Sequence, residues 1–516
     1  MLLRGTKLLL ILLFWLPLGS LFLFEKSIPE DVRNHVLQIT FPEALKETLV
    51  LLTLLTTLCF VAGFLFLLFL KNLNSKWRLV ALFVSLLPLA WPSLNLAFLL
   101  RSSLSFTGPL PSMMREMGLN WPELSPLVGT TLTLFLNLFP YVVISSFLAL
   151  KAKEKSWDFA ASHFRLNNRY LIRKFVLPTS LPYLAAGTLA VLFEALSDFG
   201  ASSTWNLSTL STTLVRTWFS LFSLEAAKLF AFGLMLIAFS IFSAEKIFPL
   251  KSEKSQFPLM ERRRLHIGWT WAGSLLSLLI FSLGFLLPLS ELLRLADWSR
   301  WSSFLQPALN TLGWTLVFSL LVAGLSLLQQ IVSHLSPKDQ LEVPLQTLKW
   351  GYALPGTLLA VSALPLLTTL RNEWEWKESL VFVVGLVWFY WAKFNFLASR
   401  YLNNHFRSLT ENQKLLVQEA SPLSFMTRLW ILLGWARSFY LPIVGLLLVD
   451  ISKELPLMLM LRPAGYHNLM TRSYDFISEG FWNLAALPSL LLLGFGLIGI
   501  LFLLLSLQRN SYDTNT

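Results

Sequence analysis

The sequence predicts an all-α membrane protein with twelve transmembrane helices, arranged as two parallel six-helix units. Three observations carry this expectation. Hydrophobic residues make up 55% of the chain and charged residues only 14%, against about 25% charge in a soluble domain. Apolar runs of about 20 residues recur, the length an α-helix needs to cross about 30 Å of hydrocarbon, which argues against a β-barrel. Landmarks of the first half also return in the second at nearly constant separation.

In chain order the runs of the first half are Leu8 to Phe24, Thr48 to Leu70, Leu79 to Leu100, Leu127 to Leu150, Leu181 to Phe199 and Ala226 to Ala244. The first follows Arg4 and Lys7 like a signal peptide, but Pro17 and Gly19 lead into no small-residue cleavage site, so an uncleaved helix is expected. A polar linker with Lys246, Lys251, Lys254, Arg262, Arg263 and Arg264 follows. The second half runs through Gly268 to Leu289, Leu309 to Val332, Gly351 to Leu370, Leu380 to Ala398, a short Phe439 to Ile451 and Leu484 to Leu507. The expected division is 1–245, a linker at 246–267, and 268–516.

Twelve crossings put both termini on one side of the membrane. With the amino terminus in the cytoplasm, loop Lys and Arg sort about two to one to the inside, as the positive-inside rule requires. The net charge of +12 is thereby explained by loops, and nucleic-acid binding is not expected. Trp298, Trp301, Trp374 and Trp376 then fall near outer helix ends, where aromatic belts lie. The one cysteine, Cys59, sits within an apolar run and excludes an intramolecular disulfide.

The repeat can be followed by offset. Val61-Ala62-Gly63 returns 261 positions on as Val322-Ala323-Gly324, and Pro92 returns 263 positions on as Pro355. Glu194, Asp198, Arg216 and Trp218 match Asp450, Glu454, Arg472 and Tyr474, all 256 positions on. An even number of crossings per half makes the repeats parallel, related by an axis along the membrane normal.

No GxxxxGK[ST] or HExxH occurs, and the histidines (His35, His163, His266, His334, His405, His467) are scattered, so no catalytic constellation, metal ligand set or cofactor site is assigned. Energy for uphill transport would come from an ion gradient or another polypeptide. One stretch is different in kind: Lys151 to Phe175 mixes Lys151, Lys153, Lys155, Arg165, Arg169, Arg173 and Lys174 with apolar residues, as an interfacial segment does. Its simplest reading is a basic amphipathic helix on anionic lipid.

Its second half, FAASHFRLNNRYLIRKFVLP from Phe159 to Pro178, resembles the cytoplasmic loop of binding-protein-dependent ABC importer permeases. That pattern reads EAA, three residues, G, nine residues, I, one residue, LP. Ala160, Ala161, Leu177 and Pro178 match it; Phe159 replaces the glutamate, with Asp158 one residue earlier, Arg165 replaces the glycine and Phe175 the isoleucine. In the second half the pattern falls on Leu415 to Gly434, where Ser421 takes the glycine position and little else is kept. YALPGTLLAV at Tyr352 to Val361, FEALSDFG at Phe193 to Gly200 and the stretch Asp450 to Gly480 are similar to the fused two-unit permeases of ferric-iron importers.

The resemblance implies a type I importer fold in the bacterial cytoplasmic (inner) membrane. It implies coupling helices at Ser156 to Asn167 and Gln413 to Ser424 that dock on two ATP-binding cassette ATPase subunits, and a solute delivered by an extracytoplasmic binding protein. Ferric ion leads as substrate, with thiamine, another organic cation or a phosphonate as alternatives. A 6+6 secondary carrier is the rival from another class, but it lacks the coupling segments; a membrane scaffold would not need acid pairs repeated in register.

Those acids have two readings. Glu194 and Asp198 share a helix face, and a central acid facing lipid would cost roughly 2.5–3.5 kcal/mol, so they face water, protein or a cation. Asp198 is 20 residues past Pro178, about 30 Å along a helix, towards the outer side. In the second half Lys453 lies beside Asp450 and Glu454, while Lys393 reads as a snorkelling or paired lysine. Either these residues line the path of a cationic solute, or they form a capped helix end paired with Lys453, Arg216, Arg462 or Arg472.

Overall fold

The computed structural model describes residues 2–22, 30–221, 223–245, 265, 267–335, 347–373, 377–408, 425–463 and 465–512. All regular structure among them is helical. Eight of these helices are long and apolar enough to cross a membrane, or nine if one bent pair counts as a span. The chain is therefore a multi-pass membrane protein. Residues 246–264 and 266 of the linker, Trp374, Trp376 and the whole second coupling segment at 413–424, with Ser421, lie outside the described residues.

In the first half α1 is Leu2–Ser20, α2 Glu30–Asn72, α3 Ser75–Leu86, α4 Ser93–Leu104, α5 Pro109–Glu116, α6 Pro126–His163, α7 Asn168–Ser197, α8 Gly200–Thr204, α9 Leu210–Leu221 and α10 Leu224–Glu245. In the second, α11 is Gly268–Leu295, α12 Trp301–Leu335, α13 Gly356–Glu373, α14 Glu378–Ser408, α15 Phe425–Lys453, α16 Pro456–Leu461, α17 Leu469–Ser478 and α18 Trp482–Tyr512.

Three expected runs take a different form. Leu79 to Leu100 is no straight crossing: α3 passes into a 3-10 turn at Leu87–Ala90, and the chain bends by 90° before α4. Pro92 causes the break, since it lacks an N–H and drives the preceding residue out of the helical region; Trp91 is extended, at φ −78° and ψ 135°. The Trp91 carbonyl left open there accepts a bond from the buried amide of Asn137 on α6 at 2.8 Å, and the Pro88 carbonyl, which also accepts from Trp91 N–H, takes a second from the same amide at 3.3 Å. The short run Phe439 to Ile451 is the end of a 29-residue helix, α15. The first coupling segment is no separate helix either. Its start is the last turns of α6, because Lys151 to Ser156 (KAKEKS) holds good helix formers and no breaker.

The contacts gather into two compact units, each drawing on both halves of the sequence. One comprises Gln38–Thr212, Leu236–Asp297 and Phe476–Thr516. Its centre is α2, α6 and α7 packed together. Gly63 makes the approach of α2 to α6 possible: any Cβ there would collide with Val142, and the Gly63 carbonyl accepts a bond from Ser146 at 3.0 Å. Against α2 lies α11, from the other half of the sequence, with Asn72 donating to Thr270 at 2.9 Å.

The other unit comprises Met1–Leu37, Thr213–Met235 and Trp298–Asp475. Here α12, α14 and α15 pack together, and α1 lies on α13 and α12. Trp15 donates to Thr347 at 3.0 Å, Trp388 to the Leu13 carbonyl at 2.8 Å and Ser20 to the Ser362 carbonyl at 2.8 Å. Each unit thus includes the first helix of the opposite half.

Candidate functional site: the coupling segment and the paired acids

The segment that resembles the importer loop is built on the C-terminal end of α6. Ala160 and Ala161 are buried, Ala161 completely, while Phe164 is 59% exposed and His163 and Arg165 are also exposed. The helix ends in a closed turn: Phe164 N–H donates to Ala160 O at 3.1 Å, and Leu166 N–H to Ala161 O at 3.2 Å. Between them Arg165 is left-handed, at φ 48°. This is the terminus that glycine favours, because a Cβ is penalised at positive φ. It falls at the position where the importer-loop pattern has its glycine. Asn167 then caps α7, its Oδ1 accepting from Tyr170 N–H at 2.8 Å. Leu177 is half-buried and Pro178 exposed, both inside α7.

Two ion pairs that the sequence did not reveal hold this extension. Lys71, fully buried at the end of α2, reaches Asp158 at 2.8 Å and lies 6.0 Å from the ring centre of Trp157. Arg78 on α3 grips Glu154 with both guanidinium nitrogens and donates its Nε–H to the carbonyls of Leu70 and Leu73, at 2.9 and 3.0 Å. The i, i+4 spacing of Glu154 and Asp158 was the available signal. Asp158, the acid one residue before the glutamate position of the pattern, is thus turned inward.

The acids Glu194 and Asp198 are near one another at the end of α7 but in different settings. Glu194 is half-buried, and Tyr141 O–H donates to it at 3.5 Å. Asp198 is buried and holds two helix starts together. Its Oδ1 accepts from the Ser93 hydroxyl at 2.6 Å, at the start of α4; at the start of α8, Ala201 N–H (3.3 Å), Ser202 N–H (3.0 Å) and Ser202 Oγ–H (3.0 Å) donate to it. Helix N-termini carry partial positive charge and favour a carboxylate there.

The other unit repeats this joint with other chemistry. Glu454 follows α15 as Asp198 follows α7, and its Oε1 accepts from Leu457 N–H in α16 at 3.4 Å. Its Oε2 meets Lys393 Nζ at 2.6 Å, so Lys393 is the paired lysine of the two expected readings. The residue facing the carboxylate from the start of α13 is Gly356, 263 positions after Ser93; a Cβ there would come within 2.5 Å of Glu454 Oε1. A short acid with serine in one half is replaced by a long acid with glycine and lysine in the other. Asp450 and Lys453 are both half-buried near the end of α15.

The offset of 256 holds across this joint, since α7 ends at Ser197 and α15 at Lys453, and α8 starts at Gly200 and α16 at Pro456. Beyond it the register is 259. Left-handed Asn206 (φ 58°) matches Gly465 (φ 82°), and the cap Thr209 to Thr212 N–H (3.3 Å) matches Asn468 to Thr471 N–H (2.7 Å). The expected pairings of Arg216 with Arg472 and Trp218 with Tyr474 are therefore three residues out, and Arg216 corresponds to Asp475. Nor does Arg462 serve the repeated acids: it pairs with Asp475 at 3.0 Å. Burial alone would raise the Asp475 carboxyl, but bonds from His467 and Arg462 and the Arg462 charge hold it below the ordinary carboxylate value.

Among the described residues no group of three or more His, Cys, Asp or Glu is placed to hold a metal ion. No family model matches the chain. The chain is similar to the spermidine/putrescine transport system permease protein PotB of Haemophilus influenzae, 24% identical over 147 residues, which cover 28% of this chain and 51% of that protein. The match thus spans about half the length of that curated relative. This likeness supports distant kinship with ABC permeases and lends none to specificity for ferric ion.

Proposed function

We propose that the chain is the membrane-spanning subunit of an ATP-binding cassette importer in the bacterial inner membrane, with twelve helices in two type I units and both termini cytoplasmic. Two ATPase subunits would dock on its coupling segments and an extracytoplasmic binding protein would deliver the solute. ATP hydrolysis belongs to the partner subunits, not to this chain. The observation that carries the reading is the left-handed Arg165 that ends α6 at the pattern's glycine position, just ahead of a long apolar helix. The likeness to a permease, found independently of that loop geometry, supports it.

For the solute, a small organic cation is the better supported of the expected classes, because the relative's name is that of a polyamine system. The ferric reading rested on the resemblance of Tyr352 to Val361, Phe193 to Gly200 and Asp450 to Gly480 to ferric-iron permeases, and the acids that a metal cargo would meet, Asp198 and Glu454, are engaged by Ser93 and Lys393. Uptake of radiolabelled putrescine by cells lacking this chain, with and without complementation, tests the proposal. Loss of ATP-dependent uptake that complementation restores is expected. Loss of ferric uptake alone would reinstate the metal cargo, and uptake driven by a proton gradient without ATP would favour the secondary carrier.

A further inference from the structure

We infer that the Lys71–Asp158 and Arg78–Glu154 pairs lock the coupling segment to the end of α2, so that the two move as one lever when a partner pushes on the segment. The inference rests on the permease reading and adds to it the route by which force enters the membrane. Four observations within one compact unit support it. Glu154 and Asp158 are one helical turn apart on α6 and both point to the α2–α3 corner. The Lys71 pair is almost wholly enclosed, at 0% and 7% side-chain exposure. Arg78 bonds both to the Glu154 carboxylate and to the carbonyls of Leu70 and Leu73 at the end of α2, so it ties the α6 side chain to the backbone of the corner. Trp157, between the two acids, donates to Thr179 at 2.8 Å and fixes the same turn of α6 to α7.

Hydrophobic packing alone would hold these helices together but would let one slide along the other. A directional ion pair fixes their register, and a buried pair is a poor source of stability for its own sake, because desolvation offsets most of the attraction. Two such pairs at one corner suit a joint that must not slip. Asp158 and Glu154 are then positioning residues: they touch no solute and no nucleotide, and they orient the exposed face formed by His163, Phe164 and Arg165.

Spin labels on cysteines at Lys76 and Ser162, both exposed and either side of the joint, test this in a Cys59→Ala background. The chain is purified from its own cells with the ATP-hydrolysing subunit it brings, placed in lipid nanodiscs, and measured by pulsed electron resonance without nucleotide and after trapping with MgATP and vanadate. The parental protein should show one narrow distance that trapping leaves unchanged. Lys71→Met/Asp158→Leu replaces the pair with apolar groups, so it should assemble to the parental level, yet its distribution should widen at least twofold and its mean distance should shift on trapping. The reversed pair, Lys71→Glu/Asp158→Lys, should narrow it again. A parental distance that moves on trapping, or an apolar variant as narrow as the parent, overturns the inference while leaving the permease reading intact. A parental protein with a narrow distance but no associated ATP hydrolysis removes the force the lever would transmit, and overturns both.

Discussion

Arg165 pays the steric penalty of a left-handed residue that carries a side chain, roughly 1–2 kcal/mol. Replacing it with glycine removes that penalty and adds about 0.4–1 kcal/mol of chain entropy to the unfolded state. Arg165→Gly should therefore stabilise the protein by about 0.5 kcal/mol, seen as a small rise in Tm in detergent; a fall would show that the guanidinium makes a compensating contact. The repeated acids allow a sharper test. Gly356→Ala places a methyl group 2.5 Å from Glu454 Oε1 and should cost about 1–3 kcal/mol by overpacking. Shortening the acid in Gly356→Ala/Glu454→Asp should recover part of that loss, since the other unit already joins a side chain at this position to an aspartate. If the second change adds its own loss in full, the complementarity is absent. At this scale the sequence was only partly legible. It marked Asp198, Glu454 and Lys393 as unusual, because charge in apolar surroundings needs a partner, but Ser93 lies 105 positions from Asp198 and Lys71 lies 87 from Asp158. Local spacing says nothing about contacts made at such separation.

Helices were easier to read than their interruptions. Long apolar runs fix α2, α6 and α7, since runs of this length satisfy their backbone in hydrocarbon as helices. Pro92 and Pro355 were visible as a repeated feature, but hydropathy does not separate a proline inside a crossing from one that ends it. The local answer came from Asn137, which supplies bonds to the carbonyls of Trp91 and Pro88 and so makes the break tolerable. The shift of register from 256 to 259 was hidden for a similar reason: chance matches of Arg and aromatic residues at 256 masked a three-residue insertion that only caps and left-handed residues expose. The caps at α9 and α17 differ in what else they hold. Thr209 caps locally, so Thr209→Ala should cost about 1 kcal/mol. Asn468 also donates to the Glu454 carbonyl at 2.8 Å, tying α17 to the α15–α16 joint. Asn468→Ala should therefore cost roughly 2–3 kcal/mol, the cap plus a buried carbonyl left without its donor. Thermal unfolding of the two variants in the same detergent compares them, and equal losses would mean that the second bond contributes nothing.

Over the whole chain, two kinds of division coexist. The sequence repeats as halves of six runs, whereas the compact units mix the halves: α1 and Thr213–Met235 go with most of the second half, and α11 and Phe476–Thr516 with most of the first. Composition has no access to such mixing, since α1 and α11 are both apolar and local sequence does not say which neighbours will cover them. A chain segment that leaves α10 and enters α11 must return on the side where α10 ends, and its six Lys and Arg residues favour the cytoplasmic face, where the positive-inside bias acts on short loops near helix ends. We expect the same bias to place both termini there. A single cysteine at Ser255, in a background lacking Cys59, should resist an impermeant maleimide in intact cells and react once the membrane is permeabilised. Labelling of intact cells would reverse the orientation. It would also put Phe164 and Arg165 on the outer face, out of reach of any ATPase, so this one measurement bears on the docking proposal as strongly as on the topology.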